Sequence, residues 1–180
     1  MLKRPYILIC FLIISQLAFS QKTLHDFSAQ TITGEIFDFS TLKGKKVLIV
    51  NTATECSLTP QFRKMQELYE EYGGDDFEIV AFPCNDFGSQ EPGTNEQINE
   101  FCTQKYNVSF TLMEKISIKE EMHPIYKWLT SSQENGTLDA KVIWNFQKFL
   151  VDEDGRAVES LSPITGVQNR RIIEWLQEDL

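Results

Sequence analysis

Positive charge is scarce in this 180-residue chain: 17 Lys and Arg stand against 26 Asp and Glu, a formal net charge of −9. The basic residues are scattered, so there is no cationic stripe to neutralise phosphates, which argues against nucleic-acid binding. Cysteine is sparse too, with four in the chain and no Cys-x-x-Cys pair among them. That absence argues against a zinc clamp and disfavours a dithiol exchanger of the thioredoxin kind. Repeats, low-complexity tracts and linkers are missing, which leaves the chain from about Leu24 onward as one domain. A long apolar run is also lacking, because Ile7 to Ile14 falls short of the ~20 residues that a membrane-spanning helix needs.

What is there begins with an N-terminal address. Lys3 and Arg4 precede the apolar run, and Ala18-Phe19-Ser20 supplies small residues where a signal peptidase reads. Residues 1–20 are therefore expected to be a signal peptide cut after Ser20, giving an exported protein, periplasmic or secreted, with no stable membrane insertion. Leu17, Ala18 and Phe19 extend the run enough to keep an uncleaved anchor as the alternative. Cys10 follows bulky Ile9, which argues against a lipid-modified N-terminus. Cleavage leaves 21–180 with Cys56, Cys84 and Cys102, an odd number that cannot be wholly a disulfide framework. A free or transiently paired thiol is the first hint of redox chemistry. At 42% hydrophobic and 24% charged, the chain as a whole has the composition of a soluble globular domain.

The elements alternate. Lys45–Val50 and Phe77–Phe82 are short apolar runs of the buried-strand type, the second ended by Pro83. Between them a helix is expected with Thr59 as N-cap, Pro60 as its first residue, an apolar face of Phe62, Met65, Tyr69 and Tyr72, and Gly73-Gly74 to end it. Strand, helix and strand imply a parallel crossover. Thr94-Asn95-Glu96-Gln97 reads as a capping box opening a helix with Ile98, Phe101 and Cys102 on one face. The last third predicts a helix after His123-Pro124, a hairpin turning at Asp154-Gly155 between Asn145–Val151 and Arg156–Ser160, and a closing helix with Ile172, Ile173 and Leu176. This order is that of an α/β, thioredoxin-like fold, with a central mixed β-sheet flanked by helices.

Cys56 lies in the turn leaving the first strand, just before the first helix. Backbone N–H groups and the positive end of the helix dipole favour negative charge there, and the carboxyl end of a buried parallel strand is where open α/β sheets present reactive groups. The competing reading is a small hydrophobe filling a corner. Cys56 is followed by Ser57-Leu58-Thr59 and no second thiol, which suits a reagent such as peroxide that oxidises one sulfur at a time.

Three segments carry a family resemblance. Val50-Asn51-Thr52-Ala53-Thr54-Glu55-Cys56-Ser57-Leu58-Thr59-Pro60-Gln61-Phe62 resembles the nucleophile motif of the glutathione peroxidase family. Ala81-Phe82-Pro83-Cys84-Asn85-Asp86-Phe87-Gly88-Ser89-Gln90-Glu91-Pro92-Gly93 resembles its second signature, and Trp144-Asn145-Phe146 with Lys148-Phe149-Leu150-Val151 its third. The three occur in order and in one register from about Leu24 to the C-terminus. Ser57 stands where the family usually has Gly, Asp86 where Gln is usual, and Thr111 where Pro commonly follows; Glu55 adds a carboxylate beside the nucleophile.

The resemblance implies a thioredoxin fold and a catalytic set of Cys56, Gln90, Trp144 and Asn145. Amide and indole N–H donors suit such a set, since they can hold a thiolate and stabilise the oxygen leaving a split O–O bond. Taken singly, Trp144 also reads as a core aromatic, Asn145 as a cap or turn residue and Gln90 as a solvated loop amide. Cys102, 46 positions after Cys56, resembles the resolving cysteine of the thioredoxin-dependent branch, and its apolar helix face equally suits a core thiol. Cys84 is read as a packing residue. The implied function is a monomeric thiol peroxidase acting on hydrogen peroxide or organic hydroperoxides and serving the response to oxidative stress. Its reductant is expected to be a thioredoxin-like protein in preference to glutathione, with no cofactor and no metal. A peroxiredoxin would share fold and chemistry but has no place for the Trp-Asn pair or the Phe-Gly-x-Gln-Glu-Pro stretch. A non-catalytic redox sensor would use Cys56 only once per molecule.

Overall fold

The computed structural model describes residues 21–178, so the expected signal peptide, 1–20, lies outside the described residues. A 3-10 turn at Leu24–Asp26 leads into a small hairpin of β1 (Ser28–Gln30) and β2 (Ile36–Asp38). A second 3-10 turn at Phe39–Leu42 precedes β3 (Lys46–Thr52), α1 (Gln61–Tyr72) and β4 (Phe77–Pro83). Then come α2 (Asn95–Tyr106), β5 (Thr111–Leu112), α3 (Pro124–Thr130), α4 (Ser132–Asn135), β6 (Lys148–Val151), β7 (Ala157–Leu161) and α5 (Arg170–Gln177). The five-stranded sheet runs β5-β4-β3-β6-β7, with β3, β4 and β5 parallel and β6 and β7 antiparallel. This is the expected mixed sheet of a thioredoxin-like α/β fold.

β3 and β4 are buried along their whole length because both faces of the sheet are covered. Successive side chains point to opposite faces. Leu48 and Val50 of β3 therefore join Ile79 and Ala81 in a cluster with Phe62 and Met65 of α1, Ile98 and Cys102 of α2 and Ile172 of α5. Val47 and Ile49 join Val80, Phe82 and Phe149 in a second cluster with Tyr126 and Trp128 of α3. Cys56 belongs to the first cluster and Cys84 to the second, so the sheet separates these two thiols.

The element ends explain where expectation and structure part. α1 starts at Gln61 behind Pro60, and the Thr59 hydroxyl turns inward to the carbonyls of Ala53 and Cys56 instead of capping the helix. The strand expected from Asn145 begins at Lys148, because Phe146 adopts a left-handed conformation (φ 67°) and cannot continue a ladder. β1, β2, β5 and α4 went unpredicted; each is four residues or fewer, too short for periodicity to register. The β6–β7 turn lies at Asp154-Gly155 as expected, with Gly155 at φ 78° and Asp152 Oδ1 accepting the N–H groups of Asp154 and Arg156. Among the described residues, no helix is long and apolar enough to cross a membrane.

α2 has the predicted capping box: Thr94 Oγ1 accepts the Gln97 N–H, and Gln97 Oε1 accepts that of Thr94 at 2.9 Å. It ends on Asn107 in a left-handed conformation. Thr94→Ala should lower stability by about 1 kcal/mol in denaturant unfolding. Hydrogen exchange should quicken first in α2, while β3 and β4 stay protected.

Candidate active site

The turn that carries Cys56, the expected nucleophile, is irregular backbone, so side chains must satisfy it. Thr59 Oγ1 accepts the Cys56 N–H at 3.0 Å and lies 2.6 Å from the Cys56 carbonyl, to which Thr59 N–H also donates at 3.0 Å. The turn is thereby closed on itself, and Cys56 is 7% exposed. Leu58 N donates to the Cys56 sulfur at 3.4 Å. Among the described residues this is the only hydrogen bond the sulfur receives; Gln90, Trp144 and Asn145 do not reach it with theirs.

Those three are nonetheless brought together beside the turn. Asn145 is fully buried and spends both amide N–H groups, on Phe87 O at 3.1 Å and on Gln90 Oε1 at 3.0 Å. Gln90 thus has its carbonyl held and its own N–H groups uncommitted. Gly88, at φ 74°, takes the Trp144 ring so close that a Cβ there would lie 3.1 Å from Cη2 and 3.6 Å from the Gln90 side chain. Trp144 is 39% exposed, so it is not the core aromatic it might be taken for alone. The Glu55 N–H donates to Gln90 O at 3.0 Å, joining this cluster to the residue before the nucleophile.

One residue that holds the site, Asn51, was not singled out from sequence. Asn51 ends the apolar run of β3, and its side chain donates to Trp144 O at 3.1 Å and accepts the Gln147 N–H at 3.0 Å. An amide at the end of a buried strand, facing backbone that lacks a ladder partner, was the available signal. Asp86 accepts from the Lys119 N–H, the Ser117 hydroxyl and the Ile118 N–H, fixing a distant loop. Burial opposes its ionisation, but those donors outweigh it and keep the carboxyl below its ordinary value.

Glu91 is fully buried; its Oε1 accepts the Thr54 hydroxyl at 2.5 Å and its Oε2 has no partner. Burial pushes its pKa up to about 7, against the opposing help of Thr54 and Lys115. Cys102 is fully buried on α2, and burial, with the Glu91 charge second, pushes its thiol up to about 12. Cys84 is likewise pushed up to about 12, chiefly by burial. The three cysteines among the described residues, Cys56, Cys84 and Cys102, are free. A shallow cleft of about 370 Å³ separates Thr54 and Glu55 from Gln97, Ile98 and Phe101 of α2. No group of three or more potential metal ligands occurs among the described residues.

Glu91 makes a testable contribution to stability. In the unfolded chain it ionises near 4.5, whereas in the fold it keeps its proton up to about 7. The unfolded state therefore binds fewer protons between those values, and stability falls as pH rises through that window. Glu91→Gln should be indifferent to this, so its stability relative to the parent should climb between pH 4.5 and 7 by about 3 kcal/mol, read from denaturant midpoints.

A glutathione peroxidase family model matches residues 24–130. A glutathione peroxidase of Lactococcus lactis is 45% identical over 142 residues, covering 78% of this chain and 90% of the relative. Glutathione peroxidase-like peroxiredoxin 2 of Saccharomyces cerevisiae is 46% identical over 145 residues, covering 79% and 89%. Among solved structures, Trgpx in apo form superposes with a TM-score of 0.66 at 34% identity, covering 88% of this chain and 98% of that one. A thiol:disulfide interchange protein of the thioredoxin family from Chlorobium tepidum, at 17% identity and TM-score 0.58, shares the fold, covering 87% and 97%. With the family model matching more than half of its length and these relatives spanning most of it, the chain belongs to the glutathione peroxidase family and is a peroxidase.

Proposed function

We propose that Cys56 is the peroxidatic nucleophile of a thiol peroxidase that reduces hydrogen peroxide or organic hydroperoxides. The Cys56 thiolate attacks the terminal peroxide oxygen, the O–O bond breaks, and the departing alkoxide or hydroxide takes a proton to leave as alcohol or water. Cys56 is then a sulfenic acid. Gln90 and Trp144 supply the N–H donors that meet the developing negative oxygen, and Asn145 orients Gln90. The observation that supports this reading is the bond from Glu55 N–H to Gln90 O at 3.0 Å, which ties the loop carrying Gln90 to the residue before Cys56. The lack of direct bonds from Gln90, Trp144 and Asn145 to the sulfur fits a resting site that tightens when substrate arrives.

Cys102 resolves the sulfenic acid in this reading. Its thiol sulfur bonds to Cys56, the S–O bond breaks, and the thiol proton leaves with the hydroxyl as water. A thiol held near 12 in the core is a poor nucleophile, so resolution needs α2 to open locally and release Cys102 to water. A thioredoxin-like dithiol then reduces the disulfide, in keeping with the peroxiredoxin names of the yeast relatives. The protein acts as a monomer, exported after cleavage behind Ser20, in defence against oxidative stress.

Cys56→Ser should abolish peroxide consumption while keeping the fold, since it replaces one atom of a packed side chain. Retention of a tenth of the activity, a barrier change of only ~1.4 kcal/mol, would place the nucleophile elsewhere. A steady-state assay should show sustained turnover with thioredoxin and slow turnover with glutathione. One equivalent consumed per molecule with either donor would identify a sensor instead.

Mass spectrometry of peroxide-treated protein should find a Cys56–Cys102 peptide pair. Over-oxidised Cys56 beside a free Cys102 thiol, with thioredoxin unable to sustain turnover, would show that an external thiol does the resolving.

A further inference from the structure

Lys148 is fully buried in β6, opposite Val50 of β3 and Leu161 of β7. A buried ammonium normally requires a carboxylate, and none of the ion pairs among the described residues includes it. Its Nζ instead donates to Gln61 Oε1 at 2.6 Å and to Pro163 O at 2.8 Å, while Gln61 Nε2 donates to the same Pro163 carbonyl at 2.9 Å. The triangle is closed. Two acceptors match the two N–H groups of a neutral amine, whereas an ammonium would leave a third without a partner. Burial alone, with no charged neighbour contributing, pulls the group down to about 7.

The triangle leads to the nucleophile by a continuous path. Gln61, the first residue of α1, donates its backbone N–H to Leu58 O at 2.9 Å. Leu58 in turn donates the one N–H that meets the Cys56 sulfur. At the other end, Lys148 follows Asn145 by three residues, past the left-handed Phe146. We propose that Lys148 is a positioning residue for the peroxidatic cysteine, locking the turn of residues 56–61 to the segment that carries Trp144 and Asn145. This rests on Cys56 being the nucleophile. Loosening the lock would let Leu58 N–H drift from the sulfur and the turn drift from Gln90, so the thiolate would be both less stabilised and less well aimed. Protonation of Lys148 loosens the lock in the same way, because the third N–H has no acceptor.

Lys148→Met keeps length and removes the donor. It should fold with a thermal midpoint close to or modestly below the parent's, because the cost of burying the amine is lost together with its two hydrogen bonds. The second-order rate of the first peroxide step, followed by stopped flow, should fall at least tenfold. The pH profile of Cys56 alkylation by iodoacetamide should lose an inflection near neutrality that the parent shows. A rate within twofold of the parent and an unmoved profile would overturn the proposal, because a merely structural lysine would change only the midpoint. Should Lys148→Met fail to fold, Gln61→Leu breaks the same link from the α1 side and should lower the rate at least fivefold; an unchanged rate there overturns it equally. Alkylation reads the lock without peroxide. A parent that is inert to peroxide but whose alkylation depends on Lys148 would refute the peroxidatic role and leave the lock standing.

Discussion

The Asn51 side chain holds together what no ladder can. β3 ends at Thr52, and the segment after it and the segment before β6 approach each other as irregular backbone at the sheet's carboxyl edge. Asn51, one residue before that end, ties down the segment before β6: its side-chain N–H donates to Trp144 O, its side-chain carbonyl accepts the Gln147 N–H, and its backbone carbonyl accepts the Phe146 N–H at 2.6 Å. A buried side-chain amide that completes two such bonds beside the backbone one replaces a missing strand register, and its loss would leave the Trp144 carbonyl and the Gln147 N–H unpaired in the core. The positions of Trp144 and Asn145 follow from that, then Gln90 from Asn145, and finally the loop of Gly88 from the Trp144 ring that covers it.

Burial governs the ionisable groups around this framework more than charge pairing does. Glu91 and Lys148, of opposite sign, are both drawn to about 7, each toward its neutral form. Neither has an ion-pair partner among the described residues, and each is held by neutral hydrogen bonds instead, Glu91 by Thr54 and Lys148 by Gln61 and Pro163. A dry surround of this kind strengthens whatever dipoles face the sulfur, because little water remains to screen them. It also silences thiols that are only packed, and Cys84 and Cys102 are both pushed up to about 12. All three thiols among the described residues are buried, and backbone N–H groups face the sulfur of Cys84 as well as that of Cys56, so what sets Cys56 apart is its place in a turn tied to the Gln90 loop.

Sequence made the long, periodic parts of this fold legible. The β3–α1–β4 crossover, the α2 capping box, the α3 entry at His123 and the β6–β7 turn are each dictated by local pattern, and each stands where pattern places it. Cys56, Gln90, Trp144 and Asn145 were nameable only through three motifs read together, because no single one of them departs from an ordinary packing or loop residue. What pattern could not reach was the work of side chains that bond across sequence distance. Thr59 looked like a helix cap because Pro60 follows it, yet its hydroxyl is claimed by Ala53 and Cys56. Lys148 sat unnoticed inside an apolar strand because its partners, Gln61 and Pro163, lie 87 and 15 positions away.

The distribution of burial among the helices bears on how two cysteines in one core could meet. α3 buries four side chains in seven residues, among them Tyr126 and Trp128, and is anchored accordingly. α2 buries only Ile98 and Cys102 in 12 residues, with Phe101 and Tyr106 half exposed. Exposing an Ile-sized side chain costs roughly 1.5–3 kcal/mol, so freeing α2 from the sheet costs far less than freeing α3. Its other ties are polar and lie at its N-terminal end: the capping box, the Lys115 N–H on Asn95 Oδ1 at 2.9 Å, and Lys115 Nζ on Gly93 O at 2.6 Å. The C-terminal half, which carries Cys102, is held mainly by packing. It ends on the left-handed Asn107, whose N–H bonds back to Cys102 O and Thr103 O, so fraying from that end first releases the turn in which Cys102 sits. A helix anchored at its start and lightly held at its end can present a buried thiol without unfolding the sheet from which the Cys56 turn departs.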